Sequence, residues 1–442
     1  ADASIEWRAH IANRKSGWYM FNNALDMVGM AIPSSFRNAD VKDRSQLIID
    51  PGTIAITGSD TRGPEYYFDK GTFMGTPVPL GELRTDEQGR LIVLGGDGHS
   101  ASYTGAQAVT FANNDTWHDD ISDGPVYATV KLADGTVLEA DPAMVAVTPP
   151  NFGQGLYGVV SMYDVVFNMH VEQNWVKCPK VPDFWEHIYP ILNRMSQTQW
   201  VNQGFFMVFG QNSPADFNQP ELIRRLSDRS ASEEPLRKRV FEWFRDPASI
   251  EYKPAQIPPF YGDGFGEYAD IAIVDLPVTA VQYAWLKSWA EGNFTTVEPT
   301  RYNNLDEVPL QEQPFMLTRT NLDDCLGGPF HPGIELTWPM RVPKMWKEPF
   351  RLNIMGEDEN PQDSFGPLLS SDIALMPDGP VSVSGPGTLT RWLGVPWQTD
   401  EASCLSGYDP STYLPLPSFW AARVPNQVLS MDSYKRLSHE DL

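Results

Sequence analysis

A chain of 442 residues with 33 basic and 57 acidic side chains carries a formal net charge of −24, which repels nucleic acid and anionic membrane surfaces and mildly favours cationic ligands. The length exceeds the size at which a single hydrophobic core usually stops growing, so two subdomains, or one domain with large excursions, are expected. Three cysteines, Cys178, Cys325 and Cys404, are too few for a disulfide framework and leave the redox compartment open.

No stretch has the length and apolarity of a membrane-crossing helix, and the opening residues Ala1 to Trp7 are no signal peptide, so a soluble chain is expected, with a mature form that has lost a leader looking the same. There is no CxxC, HExxH, P-loop, or GxGxxG ahead of a helix, so neither a metal nor a nucleotide is expected. The 14 tryptophans and 22 phenylalanines argue against disorder, while 38 prolines and 34 glycines suggest long ordered loops joining short elements.

From residue 1 to about 165 the pattern is mostly β. Leu47 to Gly58 reads as a strand, a Pro51-Gly52 turn and a returning strand. Arg90 to Gly96 reads as a short buried strand ending in glycines. Val126 to Leu138 is the clearest hairpin, with Asp134-Gly135 in its turn. A twisted antiparallel sheet or a sandwich follows. Asp115, Asp119, Asp120 and Asp123 lack the spacing of a calcium loop and are read as aspartates bonded to nearby backbone, with His99 and His118 as hydrogen-bonded loop histidines.

From about 166 the pattern turns helical and loop-rich, which makes the whole chain α+β: a β-rich part over 1–165 and a helix- and loop-rich part over 166–442. Phe184 to Met195 has helical spacing interrupted by Pro190. Pro220 suits the first turn of a helix over 219–226. Leu236 to Phe244 is amphipathic, with a basic run expected on a solvated face, and Val278 to Ala290 is a strong helix whose aromatic stripe is read as core. Tyr261 to Gly266 is a glycine-rich turn and not a phosphate cradle.

Two later stretches are the most constrained. Asp323 to Trp338 sets Cys325 beside two carboxylates and follows it with Gly327, Gly328, Pro329, Pro332 and Gly333, which predicts a thiol on an irregular, rigid loop. Acids beside a thiol raise its pKa, so this segment alone reads as an ordinary buried cysteine. The second stretch runs from Gly387 to Cys404 and contains Trp392, Trp397 and Gln398.

Together with Trp7 to Tyr19, Leu80 to Gly96, Phe111 to Pro125 and Tyr413 to Asn426, these two stretches resemble the L-lysine 6-oxidase and glycine oxidase family. Its cofactor is cysteine tryptophylquinone, made from the enzyme's own side chains. The resemblance spans nearly the whole chain, although members usually carry a segment upstream of the first motif and this sequence begins almost inside it.

The resemblance implies that Cys325 is cross-linked through sulfur to Trp397, whose indole gains two oxygens. An o-quinone of this kind takes a primary amine, acidifies its carbon-bound hydrogen and passes the electrons to O2, which releases hydrogen peroxide and ammonia. Asp323 and Asp324 are the candidate bases. The family's acid stands four positions before the cysteine, where this chain has Asn321. His331, Glu335, Trp338 and Trp392 are placed around the substrate, and Cys404 is read as a buried structural thiol.

An amino acid or other primary amine is the implied substrate, with lysine leading and glycine close behind. A flavoprotein maturation partner, a homo-oligomer and a secreted or extracytoplasmic location are implied as well. The alternative is a cofactor-free, oxidase-like scaffold with unmodified Cys325 and Trp397, acting as a secreted binding or structural protein.

Overall fold

The computed structural model describes residues 3–21, 24–29, 31–149, 158–200, 203–251, 256, 278–325 and 333–400. In chain order the strands begin with β1 (Ser4–Ala9), β2 (Ile54–Thr57), β3 (Thr72–Phe73), β4 (Thr76–Pro77), β5 (Glu82–Thr85) and β6 (Leu91–Leu94). They continue with β7 (Ser100–Ser102), β8 (Trp117–Asp119), β9 (Ser122–Lys131), β10 (Val137–Glu139) and β11 (Ala143–Val147). Helices follow: α1 (Met162–Glu172), α2 (Tyr189–Gln197), α3 (Gln203–Phe209), α4 (Pro220–Leu226), α5 (Glu234–Phe241), α6 (Ala280–Ala290), α7 (Gln313–Asp324) and α8 (Gly333–Met340). The short pair β12 (Trp346–Glu348) and β13 (Arg351–Leu352) and helix α9 (Ser371–Ala374) complete the series. The fold is α+β.

Two compact units are discontinuous in sequence, the first comprising Ala1–Pro150, Val165–Lys177 and Pro332–Ser403, the second Asn151–Asp164, Cys178–His331 and Cys404–Leu442. The first unit is built on a five-stranded antiparallel sheet in the order β10-β9-β1-β2, with β11 also on β9. At ten residues, β9 is long enough to hold β1 along one edge and to share the other between β10, at Thr129 to Lys131, and β11, at Ser122 to Val126.

Gly124 on β9 is required by close approach, since a Cβ there would lie 1.8 Å from the His10 carbonyl oxygen. Under the sheet, Ala9, Ile11, Leu47, Ile49, Ile56, Phe68, Phe73, Val78, Leu80 and Leu83 form the core.

The Asp134-Gly135 hairpin is present: Gly135 takes φ +87°, and the Leu132 N–H donates to Thr136 O across the turn. Two other expectations are corrected. Arg44–Leu47 is a 3₁₀ turn capped by Asp43, and Ile49 bridges Asn13, so 47–58 is no hairpin; β2 pairs instead with β1, whose apolar face it extends. β6 pairs with the buried β5 and alternates between half-buried and exposed, so it is not itself a buried strand.

The second unit is helical. The segment over 184–195 is not one kinked helix but a π-helical turn, Phe184–Ile188, followed by α2 with Pro190 in its first turn. Pro220 opens α4 as expected. On α5 the basic run is split: Lys238 is exposed and pairs with Glu234, whereas Arg237 is buried, donating to the Trp289 and Asp228 carbonyls. The neighbouring helix supplies acceptors there that sequence pattern alone does not reveal.

The aromatic stripe of α6 is core packing, with Trp285 Nε1 donating to Pro179 O and Trp289 Nε1 to Leu226 O, both at 3.0 Å. Among the described residues, no helix is long and apolar enough to cross a membrane.

Thr279 and Gln282 form a capping box at the start of α6, each side chain accepting from the other's backbone N–H. Replacing Thr279 by alanine removes one acceptor for an otherwise orphaned N–H and should weaken the helix start by about 1 kcal/mol. Amide exchange over residues 280–283 should then accelerate about fivefold, at RT of about 0.6 kcal/mol; an unchanged rate would contradict the role of the box.

Candidate active site

Aspartates on β8 and β9 organise the loop that carries Trp397. Asp123 is fully buried and accepts from Leu389 N (3.0 Å), Thr390 N (2.7 Å) and Thr390 Oγ1 (2.6 Å), while its carbonyl accepts from Gly387 N (2.8 Å). Gly387 takes φ +74°, and a Cβ there would stand 2.8 Å from Arg14 Cγ. Further on, Val395 N donates to Ala112 O at 2.8 Å, and the Val395–Pro396 peptide is cis. Trp397 N then donates to Asp119 Oδ2 at 3.0 Å. Asp120 accepts from Gly98 N and His99 N, each at 2.8 Å.

The Trp397 side chain is 9% exposed. Gly98 flanks its ring, since a Cβ on that glycine would sit 3.8 Å from Trp397 Cζ2, and Gln398 Nε2 donates to Gly98 O at 3.0 Å. The acidic cluster therefore binds backbone, but backbone remote in sequence and not the nearby turns expected, with Asp119 also accepting from the Lys15 and Asn13 side chains; among the described residues no group of histidines, cysteines and acids could hold a metal ion. Burial pushes the His118 imidazole down; the ring packs 4.9 Å from that of Phe73 and 6.0 Å from that of His99.

Charges are buried densely around this loop. The Lys15 Nζ lies 2.6 Å from Asp119 Oδ2, with neither side chain exposed. Desolvation pushes the fully buried Arg37 guanidinium down to about 10, opposed first by Asp119 and then by Glu335, Asp400 and Asp115. Arg391 is pushed down to about 9, again mainly by burial, and stacks over Trp18 at 3.7 Å. Trp18 meets Trp392 edge-on at 5.2 Å, and Trp392 meets Trp338 at 4.8 Å.

Trp338, Trp392 and Glu335 are all buried, with Glu335 and Trp338 one helical turn apart on α8. The sequence patterns did not single out Lys15, Arg37 or Arg391 for this site. Lys15 and Arg391 had only their place inside the family motifs as a signal, and Arg37 lies in none of them.

In the second unit, Cys325 is not on an irregular loop but is the C-cap residue of α7, with φ −77° and ψ 131°, and its N–H donates to Asn321 O at 3.2 Å. Pro314 lies in the first turn of α7, where its missing N–H costs nothing, whereas α8 carries Pro339 inside it, near its C-terminal end. The Cys325 carbonyl accepts from Met162 N at 3.0 Å, and Cys325 is half-buried.

Asp323 meets Arg194 Nη2 at 3.1 Å, Ser161 Oγ at 3.0 Å and Arg319 Nε at 3.5 Å; the same Arg194 reaches Asp164 at 2.6 Å. Burial pushes the Asp323 carboxyl up, against the pull of Arg194. Asp324 is half-buried and Asn321 exposed. His331, Cys404, Gly327, Gly328, Pro329, the 261–266 loop and the 413–426 stretch lie outside the described residues.

Two family models match the sequence: residues 1–147 match L-Lysine epsilon oxidase N-terminal, and residues 269–421 match the L-lysine epsilon oxidase C-terminal domain. The chain carries both domains and belongs to the L-lysine epsilon oxidase family. It is 27% identical over 468 residues to the L-lysine 6-oxidase of Marinomonas mediterranea, covering 91% of this chain and 60% of that protein.

The crystal structure of the L-Lys epsilon-oxidase from the same organism shares the fold, with TM-score 0.64 at 24% identity over 91% of this chain and 64% of that one. A structure described as the Schiff base intermediate of that oxidase with L-Lys gives the same values. The chain thus spans less than two thirds of the length of these relatives.

Burial of Asp123 outweighs its three hydrogen bonds and pushes its carboxyl up to about 6 from an ordinary 3.8. Because folding raises this pKa, its contribution to stability is full below pH ~4 and is lost as pH rises through ~6. Relative to Asp123→Asn, the native chain should gain about 2 kcal/mol of unfolding free energy between pH 7.5 and pH 4.5. Chemical denaturation of both proteins at the two pH values checks this, and a difference independent of pH would refute it.

Proposed function

We propose that the chain is an amino-acid oxidase that oxidatively deaminates a primary amine, with lysine the leading substrate and glycine the next, using a cysteine tryptophylquinone formed from Cys325 and Trp397. The overall change consumes the amine, O2 and water and yields the aldehyde or oxo acid, ammonia and hydrogen peroxide. The observation that carries this reading is the match to the family's C-terminal domain over 269–421, a span that contains both residues. The relative's structure with L-Lys supports an amine that bonds to a carbonyl.

The residues present fit such a group. Trp397 is buried on a backbone fixed at its own N–H, its ring edge lies beside a glycine, and Cys325 closes a helix with its thiol half-buried. The quinone supplies an electrophilic carbonyl and an electron sink, which the twenty standard side chains lack. Protein groups bind and orient the amine and move its proton.

Both Asp323 oxygens are engaged by Arg194, Ser161 and Arg319, which suits that carboxylate to holding the end of α7. Asp324, the adjacent carboxylate, is assigned the proton abstraction. Glu335, Trp338 and Trp392 are assigned to the substrate pocket together with His331, and the aromatic faces would exclude water while the carboxylate favours a cationic amine. The same reading carries a flavoprotein maturation partner, a homo-oligomer and an extracytoplasmic location.

The whole-chain mass of the protein isolated from its own host should exceed the sequence mass by two oxygens less four hydrogens, and Cys325→Ala should abolish that gain. The native protein should release peroxide with L-lysine ahead of other amines. A mass equal to the sequence would favour the cofactor-free scaffold. Asp324→Asn should retain the added mass while kcat falls at least ~100-fold, as expected for loss of a general base; a kcat within a fewfold of native would remove Asp324 from that role.

A further inference from the structure

We infer that Lys15 is a positioning residue for Trp397, acting through Asp119. This rests on the oxidase reading only in making Trp397 half of the cofactor; the anchoring stands on geometry alone. Asp119 Oδ2 is shared by two donors, Lys15 Nζ at 2.6 Å and the Trp397 N–H at 3.0 Å. The other oxygen, Oδ1, accepts from Asn13 Nδ2 at 2.9 Å, and the same amide group donates to Asp119 O at 2.9 Å. Asn13 Oδ1 in turn accepts from Lys15 N at 3.1 Å, and Arg37 Nη1 donates to Lys15 O at 3.0 Å.

Every atom that could rotate the carboxylate is thus held, and neither charged side chain has any exposed surface. Burial pushes the Lys15 ammonium down, opposed by Asp119 and aggravated by Arg37. A lysine and a carboxylate taken wholly out of water are costly to bury.

The pair accounts for that cost by what it fixes. The Trp397 N–H is a buried backbone donor at the first residue of a helical turn, where no intrahelical carbonyl is available to receive it. Asp119 is the acceptor, and Lys15 fixes which carboxylate oxygen faces the loop. Removing the ammonium leaves a buried, unbalanced carboxylate that must either take up a proton or turn toward water. Either change loosens the tryptophan's backbone, and with it the ring that must meet a thiol with the correct edge.

The test compares Lys15→Met, which keeps the side chain's length and removes its charge, with Ile56→Ala, a cavity in the same unit chosen to reproduce any general loss of stability. All three proteins are isolated from the host that makes the native chain. Amide exchange at Trp397, read on a peptide covering 395–399, should be at least tenfold faster in Lys15→Met than in Ile56→Ala at matched melting temperature. The fraction of chains bearing the added mass should fall in the same order.

Equal exchange in the two variants would overturn the assignment, as would full cofactor loading in Lys15→Met. Should native chains show only the sequence mass while exchange still accelerates in Lys15→Met alone, the oxidase reading would fail and the anchoring of Trp397 by Lys15 would stand. Should Lys15→Met not fold, Asp119→Asn, which keeps an acceptor but cannot pair with an ammonium, is put through the same comparison and must give the same acceleration.

Discussion

Buried carboxylates that accept backbone N–H groups are what the described part of the first unit depends on. Strands pair well along the β1–β9–β11 sheet, but the stretch from 387 to 400 consists of short helical turns joined by irregular chain, and the N–H groups that open those turns need acceptors out of water. Asp119 and Asp123, set on consecutive strands of the chain, supply several of those acceptors and bring long-range order to a segment more than 260 residues downstream. Burying them is expensive, as the upward push on Asp123 shows. Lys15 and Arg37 reduce that expense where the charge is densest.

The second unit solves the corresponding problem with a helix end. Cys325 is the residue at which α7 stops, so its backbone is defined by Asn321 on one side and Met162 on the other. Arg194 ties Asp323 to Asp164, holding the last turn of the helix to the start of α1.

Local chemistry made parts of this legible in sequence. The Asp134-Gly135 turn, Pro220 at a helix start and the buried tryptophans of α6 follow from φ preferences and periodicity, and the structure bears them out. The aspartates of 115–123 were readable as backbone acceptors, but the remote segment that two of them hold was not. What was illegible depended on distant partners. Ile54 to Thr57 is a strand in either arrangement, but only the fold decides that β1 and not 47–49 lies beside it. Arg237 looked solvated because the carbonyls that bury it come from α6 and from the turn after α4. Cys325 looked loop-borne because glycines and prolines downstream masked the helix that ends there. Lys15 carried no signal beyond its motif, since a lysine is ordinarily a surface residue.

The proposed activity therefore reduces to one covalent bond between the residue that ends α7 and the residue anchored by Asp119. Proteolysis of the chain from its own host, followed by mass spectrometry of the fragments without added reductant, tests that bond directly. The account predicts a single species joining the Cys325 and Trp397 peptides, heavier than their sum by two oxygens less four hydrogens. Two separate peptides at their sequence masses would contradict it.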